Sequence, residues 1–318
     1  MGSIARSVLD AIGNTPLVAL ARVGAGLPVP LYAKCEHTNP GGSVKDRIAK
    51  SIIEDAEARG VLSPGATLIE ATAGNTGMGL ALVCAVKGYK LVCVMPEKMS
   101  HDKRAALRSA GAEVMIVPNA PVDSPENFQN VARRLAGERG WFLTDQFRNE
   151  ANVRAHEEGT GPELLAQCGG AIGAFVAGAG TGGSITGVGR YLRRACPSAR
   201  IVLADPLGSA LAEWVRTGTP ARDGAYAIEG IGQSKPPAIM DRSVIDEAIT
   251  VSDDEAFAMT KRLVREEGLL VGGSAGVAVV AAIAYAKRVK EGSGPVVALL
   301  PDGWDRYRSK PWMAAWGE

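Results

Sequence analysis

Lys45 lies in NPGGSVKDR (residues 39–47), between the apolar stretch LYA (31–33) and the helix-like run DRIAKSIIEDAEARG. A lysine at a glycine-rich helix entrance can hold a phosphate as a point charge, or its amine can act as a covalent catalyst. Alone, the turn is equally a helix start with a solvated charge. A second turn, EATAGNTG (70–77), follows an apolar run and opens a helical pattern. Amides exposed at a helix start attract anions, and Thr72, Asn75 and Thr76 add hydroxyl and amide donors, so this loop suits a carboxylate. Its ordinary alternative is helix capping by Asn75 and Thr76.

A third turn, GAGTGGSITG (178–187), again sits between a strand and a helix. Gly180, Thr181, Gly182, Gly183 and Ser184 form a nest whose backbone N–H groups can wrap a phosphate. The run looks like a dinucleotide fingerprint. However, Asp205, at the end of the next strand, closes no convincing ribose site, and that reading gives Lys45 and Asn75 nothing to do. The fourth turn, in GLLVGGSAGVAVVAA (268–282), puts Ser274 where a helix begins, as an N-cap would be. Asp302 follows the apolar run PVVALL as a strand-end residue or turn former. His37, His101 and His156 show no metal-ligand spacing, and no GxSxG elbow is present.

These turns need strands before them and helices after them, and the chain supplies both. ATLIEA (66–71) precedes NTGMGLALVCAVKG (75–88), KLVCVMP (90–96) precedes HDKRAALRSAG (101–111), and EVMIVP (113–118) precedes SPENFQNVARRLAGERG (124–140). AFVAGAG (174–180) leads to SITGVGRYLRRA (184–195), RIVLADP (200–206) to SALAEWVRTG (209–218), and EAITV (247–251) to DDEAFAMTKRLVREEG (253–268), with PVVALLPD (295–302) closing the series. Strands alternating with helices of this length predict βαβ units and mostly parallel sheets with right-handed crossovers. Ligands then bind beyond the carboxyl ends of the strands, where each glycine-rich turn lies. The two series break near residue 150, predicting a smaller domain at 42–148 and a larger one at 149–318. Residues 1–41 are assigned to the larger domain, although pattern alone does not decide it.

With 318 residues, 46% of them hydrophobic, the chain can bury sizeable cores, and 35 basic against 34 acidic residues leave a formal charge of +1. That balance gives no electrostatic footprint for nucleic acid or an anionic membrane, and points to small-molecule partners. The five cysteines form no CxxC pair, which argues against a zinc site or a disulfide framework; Cys84 and Cys93, in apolar runs, read as small hydrophobes. The start, MGSIARSVLDAIGNTP, has no signal-peptide core and a poor myristoylation pattern, and no apolar run is long enough to span a bilayer, so the expected location is cytoplasmic.

Taken together, from IGNTPLV (12–18) to the C-terminus, these motifs in this order resemble the cysteine synthase and cystathionine β-synthase family of fold-type-II pyridoxal-phosphate enzymes. The resemblance implies an α/β fold of two domains, with twisted, mostly parallel sheets flanked by helices, like the tryptophan synthase β-subunit. It implies pyridoxal 5'-phosphate as cofactor, with Lys45 as the Schiff-base lysine and Asn75 as partner of the ring hydroxyl. Gly180 through Ser184 become the phosphate loop, and Ser274 the partner of the pyridine nitrogen. Thr72, Asn75, Thr76 and Gln146 would hold the substrate carboxylate, with Gly230 also on the substrate side. Family members close the smaller domain over substrate and usually form homodimers.

The reaction so implied is β-replacement on L-serine or O-acetyl-L-serine by a sulfur nucleophile through an α-aminoacrylate. PEKMS (96–100), DSPE (123–126), DPLGS (205–209), EGIG (229–232) and LLPDG (299–303) look like cystathionine β-synthases, which use homocysteine. EEGTGPEL (157–164) and IGQS (231–234) are more similar to cysteine synthases, which use sulfide. The first activity is preferred and the second is the alternative, with a serine or threonine deaminase a more distant rival. Two residues depart from the pattern: Ala73 stands where the family usually has serine, and Gln233 where many cystathionine β-synthases carry tyrosine. The regulatory pair that binds S-adenosylmethionine and the haem-binding extension of animal relatives have no counterpart in these residues, so neither haem nor that control is expected.

Overall fold

The structure is a computed structural model that describes residues 4–72, 74–121, 123–222 and 224–316. In chain order the strands are β1 (Leu17–Ala19), β2 (Leu31–Cys35), β3 (Thr67–Ala71), β4 (Lys90–Pro96), β5 (Glu113–Val117), β6 (Phe142–Leu143), β7 (Ala174–Ala177), β8 (Arg200–Pro206), β9 (Glu247–Val251) and β10 (Val296–Leu300). The helices are α1 (Lys45–Ala58), α2 (Asn75–Lys87), α3 (His101–Ser109), α4 (Phe128–Arg139), α5 (Glu150–Ala155), α6 (Gly161–Gln167), α7 (Gly183–Ala195), α8 (Leu211–Thr217), α9 (Asp253–Glu266), α10 (Gly273–Ala286) and α11 (Pro311–Ala314). A π-helical turn, His156–Thr160, joins α5 to α6.

Two compact units emerge, one of residues 1–13 and 39–152, the other of residues 14–38 and 153–318. The N-terminal stretch is thus shared out differently from the expected 1–41 assignment. Leu9 belongs to the apolar core of the first unit, and the Gly13 N–H donates to Asn39 Oδ1 at 2.9 Å, whereas β1 and β2 join the sheet of the second unit.

The first unit is built on a four-stranded sheet in the order β5-β4-β3-β6, parallel throughout. Alternation along the strands supplies two apolar faces. Leu68, Leu91, Cys93 and Met95 pack with Ala49, Ile53, Leu80 and Val83 of α1 and α2. The intervening Ile69, Ala71, Val92 and Val94 pack with Val131, Ala132 and Leu135 of α4. Sheets buried on both faces read as continuous apolar runs, which is why KLVCVMP is legible as a strand.

The second unit has a six-stranded sheet in the order β1-β2-β10-β7-β8-β9. Only β1 is antiparallel to its neighbour. Val176, Val202, Ala298 and Leu300 pack with α9 and α10 through Leu263, Ala278 and Ala282. Phe175, Leu203, Val297 and Leu299 pack on the other face with Ile185, Val188, Leu192 and Leu211 of α7 and α8. Among the described residues no helix is long and apolar enough to cross a membrane, and no cluster of His, Cys, Asp or Glu is built to hold a metal.

Candidate active site

Lys45 is the first residue of α1, and its N–H donates to Ser43 Oγ at 3.2 Å. Its carbonyl is packed against α2, where a Cβ built on Gly79 would lie 2.9 Å from the Lys45 oxygen. Only a glycine at 79 lets the two helices approach this closely, and that approach fixes where the lysine leaves the backbone. Asp46, buried behind it, accepts the Gly41 N–H at 2.5 Å and braces the glycine turn.

The EATAGNTG turn connects β3 to α2. The helix begins at Asn75, its N-cap is Gly74, and no side chain caps it. The capping alternative for Asn75 and Thr76 is therefore not the one the fold uses. Thr76, 3% exposed, donates its hydroxyl to Gln146 Oε1 at 2.6 Å instead. With that oxygen occupied, the Gln146 amide presents its NH₂ group as a donor. Thr72 is buried and its Oγ1 accepts the Gly74 N–H at 3.4 Å. At the carboxyl ends of β3 and β6 the Thr72 hydroxyl and the Gln146 NH₂ group are thus placed as donors, with Thr76 orienting the Gln146 amide, while Ala73 lies outside the described residues.

In the second unit β7 runs into the glycine turn and α7. Gly182 is the N-cap with φ +83 and ψ −9, a left-handed conformation that favours glycine. A Cβ on Gly182 would come within 2.6 Å of the Met240 Cβ, and one on Gly180 would collide with the carbonyl of Gly230. Gly230, exposed with φ +85, therefore touches this glycine turn through its backbone. Thr181 is buried, and Gly183 and Ser184 open a 13-residue helix whose first N–H groups have no intrahelical acceptor. The arrangement fits a phosphate.

Ser274 is the second residue of α10, whose N-cap is Gly272, with no side-chain cap. The simple N-cap explanation for Ser274 therefore does not hold. Ser274 is buried, 3% exposed. A buried hydroxyl so placed suits one polar atom of a ligand, as a ring nitrogen would require. Asp302 accepts the Tyr307 hydroxyl at 2.6 Å, and burial pushes that phenol well above its usual range.

Asp205 is fully buried, and its Oδ2 accepts the Ala212 N–H at 2.8 Å at the start of α8. Burial raises its carboxyl to about 6. It faces the protein interior and is no ribose ligand, which removes the dinucleotide reading.

Two residues of this region escaped sequence reasoning. His156, fully buried in the π-helical turn, places Nε2 3.0 Å from Ser184 Oγ and Nδ1 2.9 Å from Thr160 Oγ1. Glu70, 2% exposed, lies beneath the Gln146 segment. Neither contact has a signature in local spacing, since each joins elements brought together by folding.

Comparison with known proteins agrees with this geometry. The family pattern described as "Pyridoxal-phosphate dependent enzyme" matches residues 8–302. The chain is 48% identical to cystathionine beta-synthase of Rattus norvegicus over 95% of its own length and 54% of that protein's, so it spans about half of this relative. It is 44% identical to cysteine synthase 1 of Emericella nidulans, covering 97% of this chain and 85% of the relative. The crystal structure of O-ureido-L-serine synthase superposes with a TM-score of 0.90 at 39% identity, covering 98% of this chain and 96% of that one. Similarity of this extent leaves one conclusion: the chain belongs to the family of pyridoxal-phosphate dependent enzymes.

Proposed function

We propose that the protein replaces the β-substituent of L-serine or O-acetyl-L-serine with a sulfur nucleophile, and that homocysteine is the preferred acceptor. The observation that carries this reading is the 48% identity, over 95% of the chain, to a protein named cystathionine beta-synthase. Lys45, Asn75, the Gly180–Ser184 turn and Ser274 would hold the cofactor. Pyridoxal phosphate, when bound, supplies an electron sink for the charge that develops at Cα.

The residues of the chain divide the remaining work. Thr72, Asn75, Thr76 and Gln146 bind the substrate carboxylate and orient the amino acid, with the Gly230 backbone beside it. The amine of Lys45 takes the proton from Cα as general base and returns it after sulfur has added at Cβ. Ser274 offers a neutral hydroxyl to the ring nitrogen, and unlike a carboxylate it does not favour protonation there. That choice limits carbanion stabilisation and favours loss of the β-substituent over racemisation.

The second reading, a cysteine synthase using sulfide, is supported by the 44% identity to cysteine synthase 1, most of whose length the chain covers. Gln233 bears on the choice. Its N–H donates to Ser209 Oγ at 3.1 Å and its carbonyl accepts the Ala210 N–H at 2.9 Å, fixing its backbone beside the EGIG segment. The test is to supply holoenzyme with serine or O-acetylserine, each against sulfide or homocysteine, and compare kcat/KM. The account expects the highest ratio with homocysteine. A higher ratio with sulfide selects the second reading, and pyruvate as main product in the presence of either thiol overturns both.

A further inference from the structure

Glu70, the penultimate residue of β3, lies directly beneath the EATAGNTG loop, and its carboxylate is fully enlisted. Oε1 accepts the Ala71 N–H at 3.1 Å, and Oε2 accepts the Gln146 N–H at 3.3 Å as well as the Thr144 hydroxyl. Gln146 is held from every side: its N–H by Glu70, its carbonyl by Asn152 Nδ2 at 2.8 Å, and its side-chain oxygen by Thr76. Between Thr144 and Gln146, Asp145 adopts φ 44, a left-handed conformation that costs a non-glycine residue free energy. Such a turn persists only where its surroundings enforce it.

The carboxyl is expensive to keep in this place. Burial, with a smaller contribution from the nearby Asp145, pushes it up to about 7. An amide of the same shape would offer one acceptor oxygen, whereas the backbone N–H groups of Ala71 and Gln146 point at different oxygens. Neither of those N–H groups can turn away. A carboxylate is the side chain that satisfies both.

We propose that Glu70 is a positioning residue for the amino-acid substrate: it ties the Thr144–Gln146 turn to the end of β3, so that Thr72, Thr76 and Gln146 present one carboxylate-binding surface. This rests on the reading of those three residues as the substrate-carboxylate site.

The test compares Glu70→Gln, Gln146→Ala and the double variant as holoenzymes, measuring cofactor loading together with KM and kcat for O-acetyl-L-serine. Loss of a hydrogen bond to a charged group predicts that Glu70→Gln raises KM about tenfold. KM should carry more of the change than kcat, and cofactor loading should stay intact. Because Glu70 acts through Gln146, Glu70→Gln should change KM less than about twofold in the Gln146→Ala background. Should Glu70→Gln not fold, Thr144→Val removes one donor from the same carboxylate and supports the same comparison. An unchanged KM in Glu70→Gln, or effects that multiply in full, overturns the proposal. An unchanged KM in Gln146→Ala would instead overturn the carboxylate-site reading beneath it.

Discussion

In the proposed cofactor site, Ser184 keeps its one hydroxyl proton for a phosphate only if His156 does not accept it. His156 meets that need with Nε2 protonated, since Nδ1 then accepts from Thr160; the two contacts of 3.0 and 2.9 Å form one relay. The account expects His156→Ala to weaken cofactor binding about tenfold, the worth of roughly one hydrogen bond to a charged group. Equilibrium dialysis of cofactor against apoprotein measures this, and unchanged affinity would contradict the relay. At this scale the sequence revealed the types of chemistry but not their partners. Lys45, Thr72, Asn75, Thr76 and Ser274 stood out because each sits in a glycine-rich turn, whereas His156 and Glu70 matter through contacts across 28 and 74 residues of chain. The cysteines were legible for the opposite reason. Cys84 and Cys93 lie in apolar runs, and burial pushes both thiols up to about 12, leaving them inert.

The elements that were easiest to read are those buried on both faces, because their apolar runs are long and uninterrupted. Elements set by tertiary context were not legible. β6 has only two residues, and the run from the π-helical turn into α6 carries Gly159, Gly161 and Pro162, residue types that disfavour a helix interior. Pro162 is in fact accommodated in the first turn of α6, where its missing N–H costs no hydrogen bond. β2 holds a further surprise, since Lys34 in LYAKC is fully buried. Its Nζ donates to Thr15 O at 2.8 Å, to Gln167 Oε1 at 2.9 Å and to Glu163 Oε2 at 2.9 Å, fastening the strand to α6. Lys34→Met fills the space but removes the buried ammonium from beside those acceptors, including the Glu163 charge. The expected cost is about 3–5 kcal/mol, read from urea unfolding. A loss under about 1 kcal/mol would show that water replaces the ammonium readily.

Across the whole chain, the residues of the proposed chemistry are divided between the two units: the first contains Lys45 and the loop proposed for the carboxylate, and the second contains the glycine turn proposed for the phosphate and Ser274. Neither set alone would single out the cofactor; their order along one chain does, and membership of the pyridoxal-phosphate dependent family agrees with it. Choice of acceptor sits at the opposite extreme, because one or two hydrogen bonds are enough to shift a specificity ratio and no repeating pattern records them. The central claim is that the ε-nitrogen of Lys45 carries the cofactor. Borohydride reduction of the holoprotein followed by peptide mass spectrometry tests it directly. The account predicts a pyridoxyl phosphate adduct on the peptide containing Lys45 and no adduct at that position in Lys45→Ala. An adduct on another lysine of the native holoprotein, or on none, would contradict it.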